Sequence, residues 1–271
     1  MDYNSLLQKS KFLEIKARSL AEGMKSGNFR SLYRGQGIEM SSVRDYIRGD
    51  DIRAIDWNIT ARMGRPYVKV FEEQRELQIF LVIDNSLSMQ CPSASGKTKY
   101  QAASEAAALL TFAAEINECP LGAVFFDSKI NLELPTFWGR EQTMLILSNL
   151  EKYLNPKNKE NIEPGSALDA ALNGCGKRLK KRSLVFILSD FRTTGFEKSL
   201  GMLAHKNDVI AVHLEDEFDE ELPSIGTFTF VVVETGIKQT YPASSAKFKK
   251  AWKTEHEHRI LQFSDLCTRH G

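Results

Sequence analysis

Residues 77–88, Leu-Gln-Ile-Phe-Leu-Val-Ile-Asp-Asn-Ser-Leu-Ser, decide the fold. The run from Leu77 to Ile83 is almost wholly apolar and ends on the carboxylate of Asp84. A strand buried on both faces, as in a parallel sheet, has this texture. Towards the C-terminus the same logic repeats. Residues 100–117 (YQAASEAAALLTFAAEIN) are rich in Ala and Leu and predict a helix. LGAVFF (121–126) reads as a second strand, with KINLELP (129–135) paired to it as an edge hairpin. REQTMLILSNLEKYL (140–154) has the spacing of an amphipathic helix. Pro164-Gly165 marks a turn, and 166–181 (SALDAALNGCGKRLKK) reads as a helix. Its cationic last turn suits the negative end of a helix dipole better than a nucleic-acid patch. SLVFILSD (183–190) is again an apolar strand ending in Asp.

A short helix over 195–204, strands in DVIAVHL (208–214) and TFTFVVVE (227–234), and a terminal helix over 244–268 complete the pattern. Strands alternating with helices predict an α/β fold, doubly wound around a mostly parallel central sheet. Towards the N-terminus, residues 4–22 read as a helix. Residues 33–76 are irregular and dense in Arg, Asp and Gly. The expected organisation is therefore an N-terminal helix and charged module (1–76), the α/β domain (77–243) and a C-terminal helix (244–271).

Bulk composition narrows the function classes. The 271 residues carry 36 Lys+Arg against 35 Asp+Glu, a formal charge of +1, so no global field draws nucleic acid or an anionic membrane. Four scattered cysteines without CxxC pairs predict neither a disulfide framework nor a zinc site. No apolar run is long enough to span a bilayer and no signal peptide is visible, which gives an expectation of cytoplasm and, at most, indirect membrane association.

In open α/β sheets ligands gather outside the carboxyl ends of the strands. Two predicted strands end there in polar residues, Asp84-Asn85-Ser86-Leu87-Ser88 and Ser189-Asp190. Between them Ser166 puts a hydroxyl at a helix start, where it could equally be a cap. In a tight loop leaving a strand, residues at i, i+2 and i+4 can face a common centre. Asp84, Ser86, Ser88, Ser166 and Asp190 would then form a hard oxygen shell of modest charge, suited to Mg²⁺, with Mn²⁺ or Ca²⁺ as alternatives.

Other signals fall away. Gly96-Lys97-Thr98 lacks the Gly five positions before Gly96 that a phosphate loop needs; Cys91 stands there. A phosphoryl-accepting Asp84 would need a second Asp at the position of Ser86. His256 and His258 do not share a helix face, and His213 reads as a satisfied strand-end histidine.

The order DxSxS, hydroxyl, Asp resembles the metal-ion-dependent adhesion site of von Willebrand factor A domains, with Ser166 standing where those domains usually have Thr. The segment from Gly37 to Ser88 resembles a bacterial domain-of-unknown-function family, the one numbered fifty-eight. The pieces carrying that likeness are Arg44-Asp45-Tyr46, Gly49-Asp50-Asp51, Ile55-Asp56-Trp57, Thr60-Ala61-Arg62, Gly64-Arg65-Pro66 and Phe71-Glu72-Glu73. The likeness implies a metal-dependent protein-interaction adaptor, not an enzyme. Its partner would be a MoxR-type AAA+ ATPase that supplies an acidic side chain to the metal. Two other readings stay open: a metal-dependent phosphohydrolase with Asp127 as base, and a purely structural metal. In residues 44–76 the expectation is a set of Arg–carboxylate pairs fixing the segment. The alternative there is a docking surface with Trp57, Arg62 and Arg65, and Tyr67 as a further anchor.

Overall fold

Strand β3 (Ile79–Asp84) is buried at all six positions, because it lies between two parallel neighbours with helices over both faces. The computed structural model describes residues 34–74, 77–91, 96–154, 165–220, 228–231, 238–241 and 244–270. The helix expected over 4–22 lies outside them. The chain divides between Leu77 and Gln78 into two compact units, and the C-terminal helix belongs to the second.

In the first unit, β1 (Arg34–Asp45) and β2 (Tyr67–Gln74) form an antiparallel ribbon. Between them lie a 3₁₀ turn at Ile52–Ala54 and helix α1 (Trp57–Met63). Polar contacts hold this insert. Asp51 and Asp56 cap the two helical turns, and Gly64 ends α1 at φ 70°, a left-handed position that glycine fills at no steric cost. Arg44 grips Asp50 with two bonds of 2.7 and 2.8 Å, and the first of these effects, the guanidinium hydrogen bond, holds the Asp50 carboxyl below its usual range.

The second unit is α/β. Its elements are β3, α2 (Leu87–Gln90), α3 (Lys99–Ile116), β4 (Leu121–Phe126), β5 (Ile130–Phe137), α4 (Arg140–Leu154), α5 (Leu168–Arg178), β6 (Leu184–Ser189), α6 (Glu197–Lys206), β7 (Asp208–His213), α7 (Glu217–Glu220), β8 (Phe228–Val231), β9 (Lys238–Tyr241) and α8 (Ala246–His270). The central sheet runs β5-β4-β3-β6-β7, parallel except for the edge strand β5. Alternation along each strand sends Phe80, Val82, Val124, Phe126, Val185 and Ile187 to one face, where they pack with Leu168, Leu172, Leu200 and Leu203 of α5 and α6. The other face meets α3 and α4, with Phe125 stacked on Tyr153 at 6.2 Å and Tyr153 edge-on to Tyr100. Gly122 is small for a reason: a Cβ there would sit 2.7 Å from the Phe80 ring.

The predicted α/β class is the observed one. Two expectations change: residues 33–76, read as irregular, contain the β1–β2 ribbon, and β8, within the segment read as a further strand, is not a strand of the central sheet. β8 pairs antiparallel with β9, which follows it closely in the chain, as a separate two-stranded sheet. Local antiparallel pairing needs only a short connection, whereas joining a parallel sheet needs a crossover.

Helix α8 packs back on α6 and α7. Phe263 lies 4.4 Å from the Phe191 ring and 5.1 Å from His213, and Trp252 donates its indole N–H to the Phe218 carbonyl at 3.2 Å. His213 is a satisfied histidine: Nε2 is 3.1 Å from the Asp190 carbonyl and Nδ1 is 3.2 Å from Glu215.

Candidate metal centre

At the carboxyl edge of the central sheet the chain leaves β3 through Asn85, whose N–H donates to the Phe126 carbonyl of β4 at 2.9 Å. That bond fixes the exit direction, and the Asp84 side chain is left 1% exposed. Both carboxylate oxygens are used. Oδ1 accepts the Ser86 backbone N–H at 2.9 Å, and Oδ2 accepts the Ser189 hydroxyl at 2.5 Å. Ser86 starts α2 but does not cap it; its hydroxyl instead lies 3.1 Å from that of Ser88. The i, i+2, i+4 spacing thus does turn polar groups together, as the loop geometry requires.

Asp190 leaves the adjacent strand β6. It is 4% exposed and carries a short ion pair from Lys99 Nζ to Oδ2, 2.6 Å, with Lys99 itself 6% exposed. Lys99 also reaches Asp219 at 3.6 Å, and Arg192 bonds Asp219 and stands 4.0 Å from Asp190. Phe191, the next residue, has φ +48°, a left-handed backbone that a bulky side chain rarely adopts. Its N–H donates to the Ser189 hydroxyl at 3.0 Å. The turn after β6 is therefore held by the same serine that binds Asp84.

Ser166 lies at the same edge, in the loop before α5. The Ala167 N–H donates to the Asp127 carbonyl at 2.6 Å and ties that loop to the end of β4. The capping role open to Ser166 is not taken: α5 is entered through Ala167 without a side-chain cap. The Ser166 hydroxyl is buried and has no hydrogen-bond partner. A buried hydroxyl left unpaired costs roughly 1–3 kcal/mol, and this one stands among the oxygen donors of the edge.

Electrostatics point the same way. Burial, followed by the neighbouring charge of Asp190, raises the Asp84 carboxyl to about 7, against the lowering effect of the Ser189 and Ser86 bonds. Two buried carboxylates side by side favour either a proton or a cation. Among the described residues no three His, Cys, Asp or Glu side chains converge as a cage. The donors are instead two carboxylates and hydroxyls, and the chemistry of this set fits a hard divalent ion that keeps part of its water shell.

Asp127, the candidate base, is committed elsewhere. It accepts from Asn131 Nδ2 at 2.7 Å, from the Lys129 N–H at 3.1 Å and from the Ser128 hydroxyl at 3.2 Å, and so closes the β4–β5 turn. Thr98, in the tempting Gly-Lys-Thr stretch, forms a capping box with Gln101 at the start of α3. Trp57, Arg62 and Arg65 lie in the other unit.

Sequence reasoning missed Lys99, Ser189 and Asp219. Lys99 left one signal. It occupies the first position of α3, where the positive end of the helix dipole disfavours a cation. A lysine in that place needs a carboxylate partner from elsewhere.

The chain is similar, at 28% identity, to an uncharacterised protein of Mycobacterium tuberculosis and to one of Mycobacterium bovis, covering 88% of this chain and 75% of each relative. Among solved structures it resembles an aerotolerance-related membrane protein from Bacteroides fragilis (14% identity, TM-score 0.45, 67% of this chain and 88% of that one). It also resembles the conserved hypothetical protein BatB from Bacteroides thetaiotaomicron (13% identity, TM-score 0.41, 71% and 99%). With the sequence pattern matched over residues 42–260, the chain belongs to the family described as protein of unknown function DUF58.

Proposed function

We propose that the carboxyl edge of the central sheet is a divalent-cation-dependent docking site for another protein, and that this chain is an adaptor and not an enzyme. One observation carries the reading: Asp84, Ser86, Ser88 and Asp190 are gathered at that edge beside the buried, unpartnered hydroxyl of Ser166. Asp84, Ser86 and Ser88 would hold the ion directly, Ser166 would gain its missing partner, and Asp190 would act from β6. A bound Mg²⁺ would supply a Lewis-acidic position for a carboxylate. The partner's Asp or Glu would complete the shell.

The resemblance to von Willebrand factor A domains supports this chemistry, and the family likeness supports a MoxR-type AAA+ ATPase as the partner, in a chaperone-like or regulatory assembly. The hydrolase reading needs a base at the ion. The full engagement of Asp127 in its own turn supports the non-enzymatic reading instead. Four free thiols support a reducing compartment, which we take to be the cytoplasm. Among the described residues no helix is long and apolar enough to cross a membrane.

The test is co-purification of the chain with the MoxR-type ATPase of the same organism in Mg²⁺ and in EDTA, beside Asp84→Asn. Retention only by the wild type with Mg²⁺ is the expected result. Retention in EDTA would move the interface away from the metal edge. Mg²⁺-dependent release of phosphate from a phosphomonoester would replace the adaptor by a hydrolase.

A further inference from the structure

The insert between β1 and β2 is built in an unusual way. Residues 46–66 close on themselves through Tyr46 N–H to Pro66 O (2.9 Å), Asp56 N–H to Tyr67 O (2.8 Å) and the Ile55–Val68 bridge. Neither the 3₁₀ turn nor α1 has a buried hydrophobic residue. Instead the apolar side chains point out: Trp57 is 66% exposed, Ile52 64%, Ile47 63% and Met63 59%. The polar groups that usually face water are turned to structural use. Asp51 and Asp56 cap helices, Asp50 holds Arg44, and the Thr60 hydroxyl accepts the Tyr67 N–H.

Against Asp51 and Asp56, with Asp50 already paired to Arg44, the insert sets four arginines. Arg48, Arg53, Arg62 and Arg65 are exposed, and among the described residues none has a side-chain hydrogen bond or ion pair. Of the expected Arg–carboxylate pairs, Arg44–Asp50 is the one found among the described residues; Asp51 and Asp56 cap helical turns, and Asp56 also lies 3.8 Å from Lys69. On α1, Trp57, Asn58, Ala61 and Arg62 occupy one exposed side, while Ile59 and Thr60 are half-buried.

We infer that this tip is a second docking surface, and that it takes an acidic protein segment carrying an apolar residue. Trp and Arg are the side chains most enriched at binding hot spots, and Met is enriched at interfaces. All four unpaired cations are Arg, whose planar fork matches a carboxylate with two bonds. The hydrogen-bonded frame fixes the backbone of the tip before binding, so the ordering cost is confined to its exposed side chains. This surface shares no residue with the metal edge, and its binding is independent of the ion.

The experiment is selection of a random peptide display library on the immobilised full chain in EDTA, followed by fluorescence anisotropy of the enriched peptides. Wild type is compared with Trp57→Ala and with Arg62→Glu, alongside phosphatidylcholine–phosphatidylserine vesicles and a DNA duplex. We expect enrichment of acidic sequences with one or more apolar residues. Affinity should fall about tenfold in each variant, as for a hot-spot residue, weaken with salt, and be unchanged by Mg²⁺, with melting temperatures preserved. Basic or neutral consensus sequences, equal binding by the variants, or tighter binding to vesicles or DNA would overturn the inference. So would a marked fall in melting temperature for both variants, which would assign the tip to the fold. Failure of metal-dependent co-purification leaves this result untouched, and the converse also holds.

Discussion

Asp84 shows how a single residue can report what surrounds it. Its folded carboxyl sits at about 7 while an unfolded one sits near 3.8. The native state therefore holds the extra proton. The stability tied to that proton is complete below the unfolded value and is lost as pH rises through the folded one. Metal-free protein should gain stability from this group as pH is lowered from 8 towards 5.5, at about 1.4 kcal/mol per unit below 7. Saturating Mg²⁺ should remove that slope, because the ion takes the proton's place. Thermal melts across this pH range, with EDTA and with Mg²⁺, check the point. An Asp84→Asn chain should keep the Ser86 N–H on its carboxamide oxygen and turn its amide N–H to the Ser189 oxygen, melt at or above the metal-free wild type, and show no Mg²⁺ shift. A lower melting temperature for Asp84→Asn would mean that the carboxylate charge stabilises the empty site, opposite to its raised titration. Much of this site was readable from spacing alone: Asp84, Ser86 and Ser88 follow from an apolar strand that ends on a carboxylate, and Asp190 from a second such strand. Ser189 was not, because only the register of β3 against β6 brings its hydroxyl to Asp84.

At the scale of an element, α3 begins with the wrong charge for its dipole and is compensated by Asp190 and Asp219. Lys99→Met should leave a buried carboxylate without its counter-ion and lower stability by about 3–5 kcal/mol. Denaturant unfolding with and without Mg²⁺ tests this, and Mg²⁺ should recover part of the loss. Strand β4 carries a different constraint. Gly122→Ala should cost about 1–3 kcal/mol, because the new methyl meets the Phe80 ring and Thr136 at under 3 Å; an unchanged urea midpoint would show that the ring yields freely. Elements were the most legible level. Continuous apolar runs marked β3, β4 and β6, and Ala-rich periodicity marked α3. The hairpin β8–β9 was missed because an isolated apolar run does not say which neighbour it pairs with. In residues 44–76 the sequence shows which charges are present but not their partners: Arg44–Asp50 is formed, while Asp51 and Asp56 accept helix N–H groups.

For the whole molecule, the C-terminal helix is wired to the carboxyl edge of the central sheet. Phe263 stacks on Phe191, the residue that follows Asp190, and on His213, whose ring touches the Asp190 carbonyl. Phe263→Ala should remove about 1–3 kcal/mol of packing and weaken Mg²⁺ affinity as well, since the turn carrying Asp190 loses a wall. Calorimetric Mg²⁺ titration of this variant tests the coupling; unchanged affinity would show that the turn is held by Ser189 alone. His213 is legible in the sequence as a satisfied strand-end histidine, but its neighbours are not: the β6–β7 register brings it to Asp190, and the packing of α8 brings Phe263 to His213 and Phe191.

The ammonium of Lys99 has one more consequence. Because the chain carries its own buried positive charge against Asp190, loss of a bound ion would leave that carboxylate paired, and under the docking reading the fold would not depend on occupancy as a zinc finger does. Under the docking reading, the ion works as a removable pin, not a rivet. A chelator should free the partner within the lifetime of the ion while both proteins stay native, and restoring magnesium should re-form the same complex without any refolding step.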